Sequence, residues 1–193
     1  MNRQERRAAE RQAKSNPAGG ARAADQAFFN AEEMRKAGRV AEAENWCRQA
    51  LAYDAGHGPS LNMLGILSMN AGQLDQAANF FARAASAQSE VPTFHNNLGS
   101  VLREMGHAAN AAQAFRNAIA LKPDYARALI NLGQLLATAD PAAAAAAYRQ
   151  ALIHHPRDLE ATFGLAVVLH QTGALDEARP LYEQALKLAP GNV

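Results

Sequence analysis

The chain repeats itself every 34 residues, and that period limits its fold more than any other feature. Met63-Leu64-Gly65, Asn97-Leu98-Gly99 and Asn131-Leu132-Gly133 succeed one another at this spacing. Sliding the chain by the same period aligns whole columns. One small-residue column holds Ala31, Gly65, Gly99, Gly133 and Ala166; a second holds Ala43, Ala77, Ala111, Ala144 and Ala178. A third holds Ala50, Ala84, Ala118, Ala151 and Ala185, and a bulky column holds Cys47, Phe81, Phe115, Tyr148 and Tyr182. Later copies close with Pro123, Pro156 and Pro190. Five copies fit, 24–57, 58–91, 92–125, 126–158 and 159–192, the fourth one residue short in its inner turn. A stack of such copies buries apolar surface that no single copy could bury alone.

Each copy reads as two antiparallel helices. In the third, His95, Leu98, Gly99 and Leu102 share one helical face. Gly106 supplies the turn, as Gly38, Gly72 and Gly173 do elsewhere. The second helix then carries Ala111, Phe115 and Ala118 and stops near Pro123. Two helices approach closely only where one presents glycine or alanine, and the bulky column fills the gap toward the next pair. The fourth copy replaces the glycine turn with Asp140-Pro141, a capping residue followed by one suited to the first helical turn. Pro180 lies inside the last helix, where it removes one backbone hydrogen bond and predicts a slight bend.

The Leu-Gly pair, the small columns, the bulky column and the closing proline resemble the tetratricopeptide repeat family. The resemblance covers the chain from about Ala24 onward. It implies an all-α fold, a right-handed superhelix of about five helix pairs whose first helices line a concave groove. It also implies a polypeptide as the partner in that groove.

Composition removes other classes. Alanine makes up roughly a quarter of the chain and aromatic residues only 6%, which favours helices over sheets. The single cysteine, Cys47, excludes an internal disulfide framework. It sits in the bulky column and reads as a buried apolar residue, with Trp46 beside it on a helix contact. A net charge of +1 argues against nucleic-acid binding over the whole surface. No apolar run approaches the roughly 20 residues that span a membrane, and the charged N-terminus lacks a signal's apolar core. A cytoplasmic protein is expected. The sequence contains no HExxH, GxxxxGK[ST] or GxSxG motif. His154-His155 reads as a surface helix end, because adjacent helical residues diverge by about 100 degrees. A non-catalytic chain without cofactor or metal is the expectation.

The informative positions lie on the first helices, opposite the Leu-Gly face. In the second copy these are Asn62, Met63, Ile66, Met69 and Asn70. In the third they are Thr93, Asn96, Asn97, Ser100 and Arg103; in the fourth, Arg127, Ile130, Asn131, Gln134 and Thr138. The fifth offers Phe163, Val167 and His170. From these, Asn62, Asn70, Asn96, Asn97, Ser100, Arg103, Arg127, Asn131 and Gln134 form the expected peptide-binding strip. Asparagine both donates to and accepts from a peptide backbone, so such a strip can hold an extended segment with little regard to its side chains. The competing reading is a solvated polar face. Asn97-Leu98-Gly99 and Asn131-Leu132-Gly133 also resemble repeats of O-linked N-acetylglucosamine transferases, whose asparagine ladder holds peptide substrates. The family's clamp for chaperone tails is not matched, because Asn62 and Ile66 stand where a lysine and an asparagine are needed.

The two ends differ from the middle. Arg3, Arg6, Arg7, Arg11, Lys14 and Arg22 stand against Glu5 and Glu10, so the start is strongly basic. Residues 1–23 are expected to form a flexible tail, with a break at Ser15-Asn16-Pro17-Ala18-Gly19-Gly20. Nucleic acid is expected, if anywhere, only on this tail. At the other end Tyr182 and Leu186 lack a following helix to cover them, which points to weak self-association through the last copy. Three functions follow from the same fold: a scaffold binding a polypeptide in its groove, the recruiting arm of a larger glycosyl-, methyl- or sulfotransferase, or a self-associating assembly protein.

Overall fold

The computed structural model describes residues 17–189, and these form ten helices. They are α1 (Pro17–Lys36), α2 (Val40–Tyr53), α3 (Gly58–Asn70), α4 (Leu74–Ala87) and α5 (Pro92–Glu104). Then come α6 (Ala108–Leu121), α7 (Ala126–Leu136), α8 (Pro141–His154), α9 (Leu159–Gln171) and α10 (Leu175–Leu188). Odd and even helices are the first and second helices of the five copies, and no strand occurs among the described residues. The chain divides into two compact units, Met1–Met105 and Gly106–Val193. The first holds α1–α5 and the second α6–α10.

Four turns depend on glycine. Gly38, Gly72, Gly106 and Gly173 have φ of +72°, +72°, +79° and +83°, a left-handed conformation that costs other residues energy. The fourth copy does without one. There the Asp140 carboxylate accepts the Ala143 N–H at 3.0 Å, with Pro141 opening α8. This is the capping arrangement expected from the sequence. α10 runs from Leu175 to Leu188 with Pro180 inside it.

Every member of the three small columns is buried. In the first unit, a Cβ on Gly65 would stand 2.5 Å from the Phe81 ring. Helices α3 and α4 therefore reach their spacing only because position 65 has no side chain. In the second unit the Tyr148 ring is flanked by two glycines. A Cβ would lie 2.8 Å from it at Gly133 and 2.5 Å from it at Gly164. Around Tyr148, the residues Leu129, Leu165, Val168 and Leu169 join α7, α8 and α9 into one core.

α1 begins earlier than the sequence suggests. Residues 17–23 were expected in a flexible tail, yet Pro17–Lys36 is one continuous helix. Proline is at home in a first helical turn. Ala24 and Ala27 pack with Ala50, Trp46 and Tyr53 of α2, and Gly20, one turn earlier, is buried as well. The Gly-Gly pair thus continues a buried helical face instead of interrupting it. Residues 1–16, which carry most of the basic charge, lie outside the described residues, as does Pro190.

Candidate functional site

The expected strip divides into two polar clusters, one in each unit. In the first unit α3 touches α5, and their half-buried asparagines meet. The Asn97 side-chain amide donates to Asn62 Oδ1 at 2.8 Å, and Asn96 Nδ2 donates to Asn97 Oδ1 at 3.3 Å. The Ser100 hydroxyl donates to the Asn96 carbonyl at 3.0 Å. Ile66, one turn beyond Asn62, is 38% exposed. Asn70 is exposed at the end of α3, while Arg103 is half-buried near the end of α5. Each asparagine side chain offers two donor hydrogens and two acceptor lone pairs. The Asn62–Asn97 pair therefore retains capacity for a further backbone group.

In the second unit the organising group is Glu160 of α9, which the sequence reading passed over. Arg127 Nη1 lies 3.2 Å from its Oε2, and Gln134 Nε2 donates to its Oε1 at 2.6 Å. All three side chains are exposed. Solvent screens such a pair, so its net contribution is about 0–1 kcal/mol. Asn131, on the same helix, is buried.

Four expected groove positions are placed inside. Asn96 and Asn131 are buried, and so are Met63 and Ile130. A first helix in a stack contacts both its own partner and the preceding second helix, so more than one face is covered. Met63 shows this: its Sδ is 3.4 Å from the Cys47 Sγ of α2. The small cysteine in the bulky column is matched by a large methionine. The large Tyr148 is matched by Gly164 at the equivalent place. Burial pushes the Cys47 thiol up to about 12. That fits an inert core residue.

The N-terminal side of the first unit carries a second feature that was not anticipated. His57 is buried ahead of α3 and accepts the Ser60 N–H at Nδ1, 3.3 Å away. Its Nε2 is 3.1 Å from Asp25 Oδ1 of α1. A carboxylate only accepts, so the network assigns the ring proton to Nε2. The only sequence signal was a histidine directly before Gly58-Pro59, the place of a helix cap. His154 and His155 are both exposed at the end of α8. In the last copy, Phe163 and His170 lie 6.0 and 6.1 Å from Tyr182, edge to face. Among the described residues, no helix is long and apolar enough to cross a membrane.

Three sequence-family comparisons match along the chain. Residues 34–96 and 135–193 match tetratricopeptide repeat families, and residues 99–139 match a TPR repeat family. No curated protein matches by sequence. Solved structures share the fold. The pilF protein of Pseudomonas aeruginosa superposes with a TM-score of 0.79 at 21% identity, over 89% of this chain and 78% of that one. MamA gives 0.76 at 21% identity, over 89% and 96%. YrrB, described as a TPR protein with an unusual peptide-binding site, gives 0.74 at 17% identity, over 96% and 94%. The repeat columns, the ten helices and these matches agree: the chain belongs to the tetratricopeptide repeat family.

Proposed function

We propose that the chain is a non-catalytic scaffold that holds a polypeptide segment against the first helices, with the α3–α5 amide cluster as its main contact. The observation that carries this reading is the 2.8 Å bond between Asn97 and Asn62. It joins two copies through groups that can also serve a peptide backbone. Ile66 beside them offers exposed apolar surface for a side chain of the ligand. The family and its neighbours support the reading, YrrB among them as a protein described with a peptide-binding site.

The test uses a peptide selected by display against the whole chain. Asn62→Ala together with Asn97→Ala should weaken its binding roughly tenfold, since each neutral hydrogen bond is worth about 0.5–1.5 kcal/mol net. The helical circular-dichroism signal should stay unchanged, because both side chains are only half-buried. Equal binding by the double variant would remove the amide cluster from the site.

A further inference from the structure

Asn62, Ile66 and Met69 follow one another at the spacing of helical neighbours and so share one face of α3. The repeat supplies a reference for this face in every other copy. At the places of Ile66 and Met69, α1 carries Glu32 and Arg35, and α5 carries Ser100 and Arg103. The fourth copy carries Gln134 and Ala137, and α9 carries Val167 and His170. Only α3 has a large apolar side chain at both places. Stacking of the copies does not demand it, since charged and hydroxyl-bearing residues serve in the same register on α1 and α5. Met69 is half-buried against the core of Phe81 and Val101, while Ile66 is 38% exposed.

The charges near this step are spoken for. On α1, Glu32 and Arg35 lie 3.6 Å apart and offset each other. On α5, Arg103 is half-buried and already engaged. Between them stand the amides of Asn62 and Asn97, joined at 2.8 Å, and the Ser100 hydroxyl, which donates to the Asn96 carbonyl. A charged ligand side chain would leave water here without gaining a partner. An aliphatic one would take the exposed part of Ile66 out of water. Ile66 is one turn from Asn62, about 6 Å along the helix axis and within reach of a single side chain. We propose that the polypeptide held by the amide cluster carries a leucine, isoleucine or methionine next to the peptide group that Asn62 and Asn97 hold, seated on Ile66 and Met69, with no charged side chain beside it. This rests on Asn62 and Asn97 as the backbone contact and adds selectivity to it. The amides accept any sequence, and the apolar step beside them selects the residue.

Paired substitutions in the chain and in the display-selected peptide test it, read by calorimetry with the whole chain. Ile66→Ser installs the residue that α5 carries at this place, so the helical signal should persist. Replacing the aliphatic residue of the peptide by alanine should weaken binding to the unaltered chain roughly tenfold, and to Ile66→Ser by less than about twofold. Replacing it by aspartate or by lysine should weaken binding further, and to a similar degree for both. Raising salt from about 0.05 to about 0.5 M should change the affinity less than about twofold. A selected peptide with no aliphatic residue that matters, an alanine replacement that costs the same in both chains, or binding that collapses in salt overturns the proposal. Asn62→Ala with Asn97→Ala separates this from the backbone contact. Weakened binding by that variant, without coupling between Ile66 and the peptide, keeps the amide contact and removes the apolar seat; unweakened binding removes both.

Discussion

Phe81→Ala is expected to lower the stability of the first unit by about 3–5 kcal/mol, the cost of removing a buried aromatic ring from a packed core. Gly65→Leu should cost about 1–3 kcal/mol by the opposite route, forcing a side chain into space the ring fills. Phe81 is 1% exposed, and a Cβ on Gly65 would lie 2.5 Å from it. The double variant should therefore lose less than the two singles added together, because the leucine occupies part of the space the ring vacates. A coupling of about 0.5–3 kcal/mol is the scale for residues in direct contact. Denaturant melts followed by Trp46 fluorescence read this directly, since Trp46 is the sole tryptophan and packs inside the first unit. Strict additivity would mean that Gly65 and Phe81 do not set the spacing of α3 and α4.

Cys47 should be nearly silent toward alkylation in the folded chain. Burial pushes its thiol from 9.0 up to about 12, so burial suppresses the thiolate by about a thousandfold at neutral pH before access is considered. The thiol is also closed off, with Met63 Sδ 3.4 Å from its sulfur. Iodoacetamide labelling should then track unfolding and not the thiol's own chemistry. The sign of the pH dependence follows. The raised value favours the protonated folded form, so this contribution to stability is complete below about pH 9 and is lost as pH rises from there through about 12. Cys47→Ala should flatten that alkaline decline. Rapid labelling under native conditions would contradict the buried placement.

The repeat made the fold legible because the same physical demand recurs at one spacing. Gly65 and Gly133 meet an aromatic ring in each case, and Gly38, Gly72, Gly106 and Gly173 each close a turn with positive φ. The faces of the first helices were harder to read. Met63 and Ile130 fall on the side opposite the Leu-Gly pair, yet both are buried. Period within one helix cannot separate the face that meets a preceding copy from the face that meets solvent. The polar pairs were hidden for a different reason. Asn62 and Asn97 are 35 residues apart and His57 and Asp25 are 32 apart, so only the packed copies bring them together. Glu160 was overlooked because its partners, Arg127 and Gln134, belong to the previous copy. The start of α1 was misread because Pro17 and Gly19-Gly20 carry the composition of a break while filling helical positions.

If the first-helix amides of the first unit hold a peptide backbone, their own signals respond when it binds. The most direct measurement is a nitrogen–proton correlation spectrum of the whole chain, with side-chain amides assigned, recorded during titration of the display-selected peptide. The Asn62 and Asn97 side-chain amide signals should move most, together with the backbone signals of Ile66 and Ser100. Shifts confined to the exposed positions of α2 and α4, such as Arg48 and Arg83, with Asn62 and Asn97 unmoved, would contradict it.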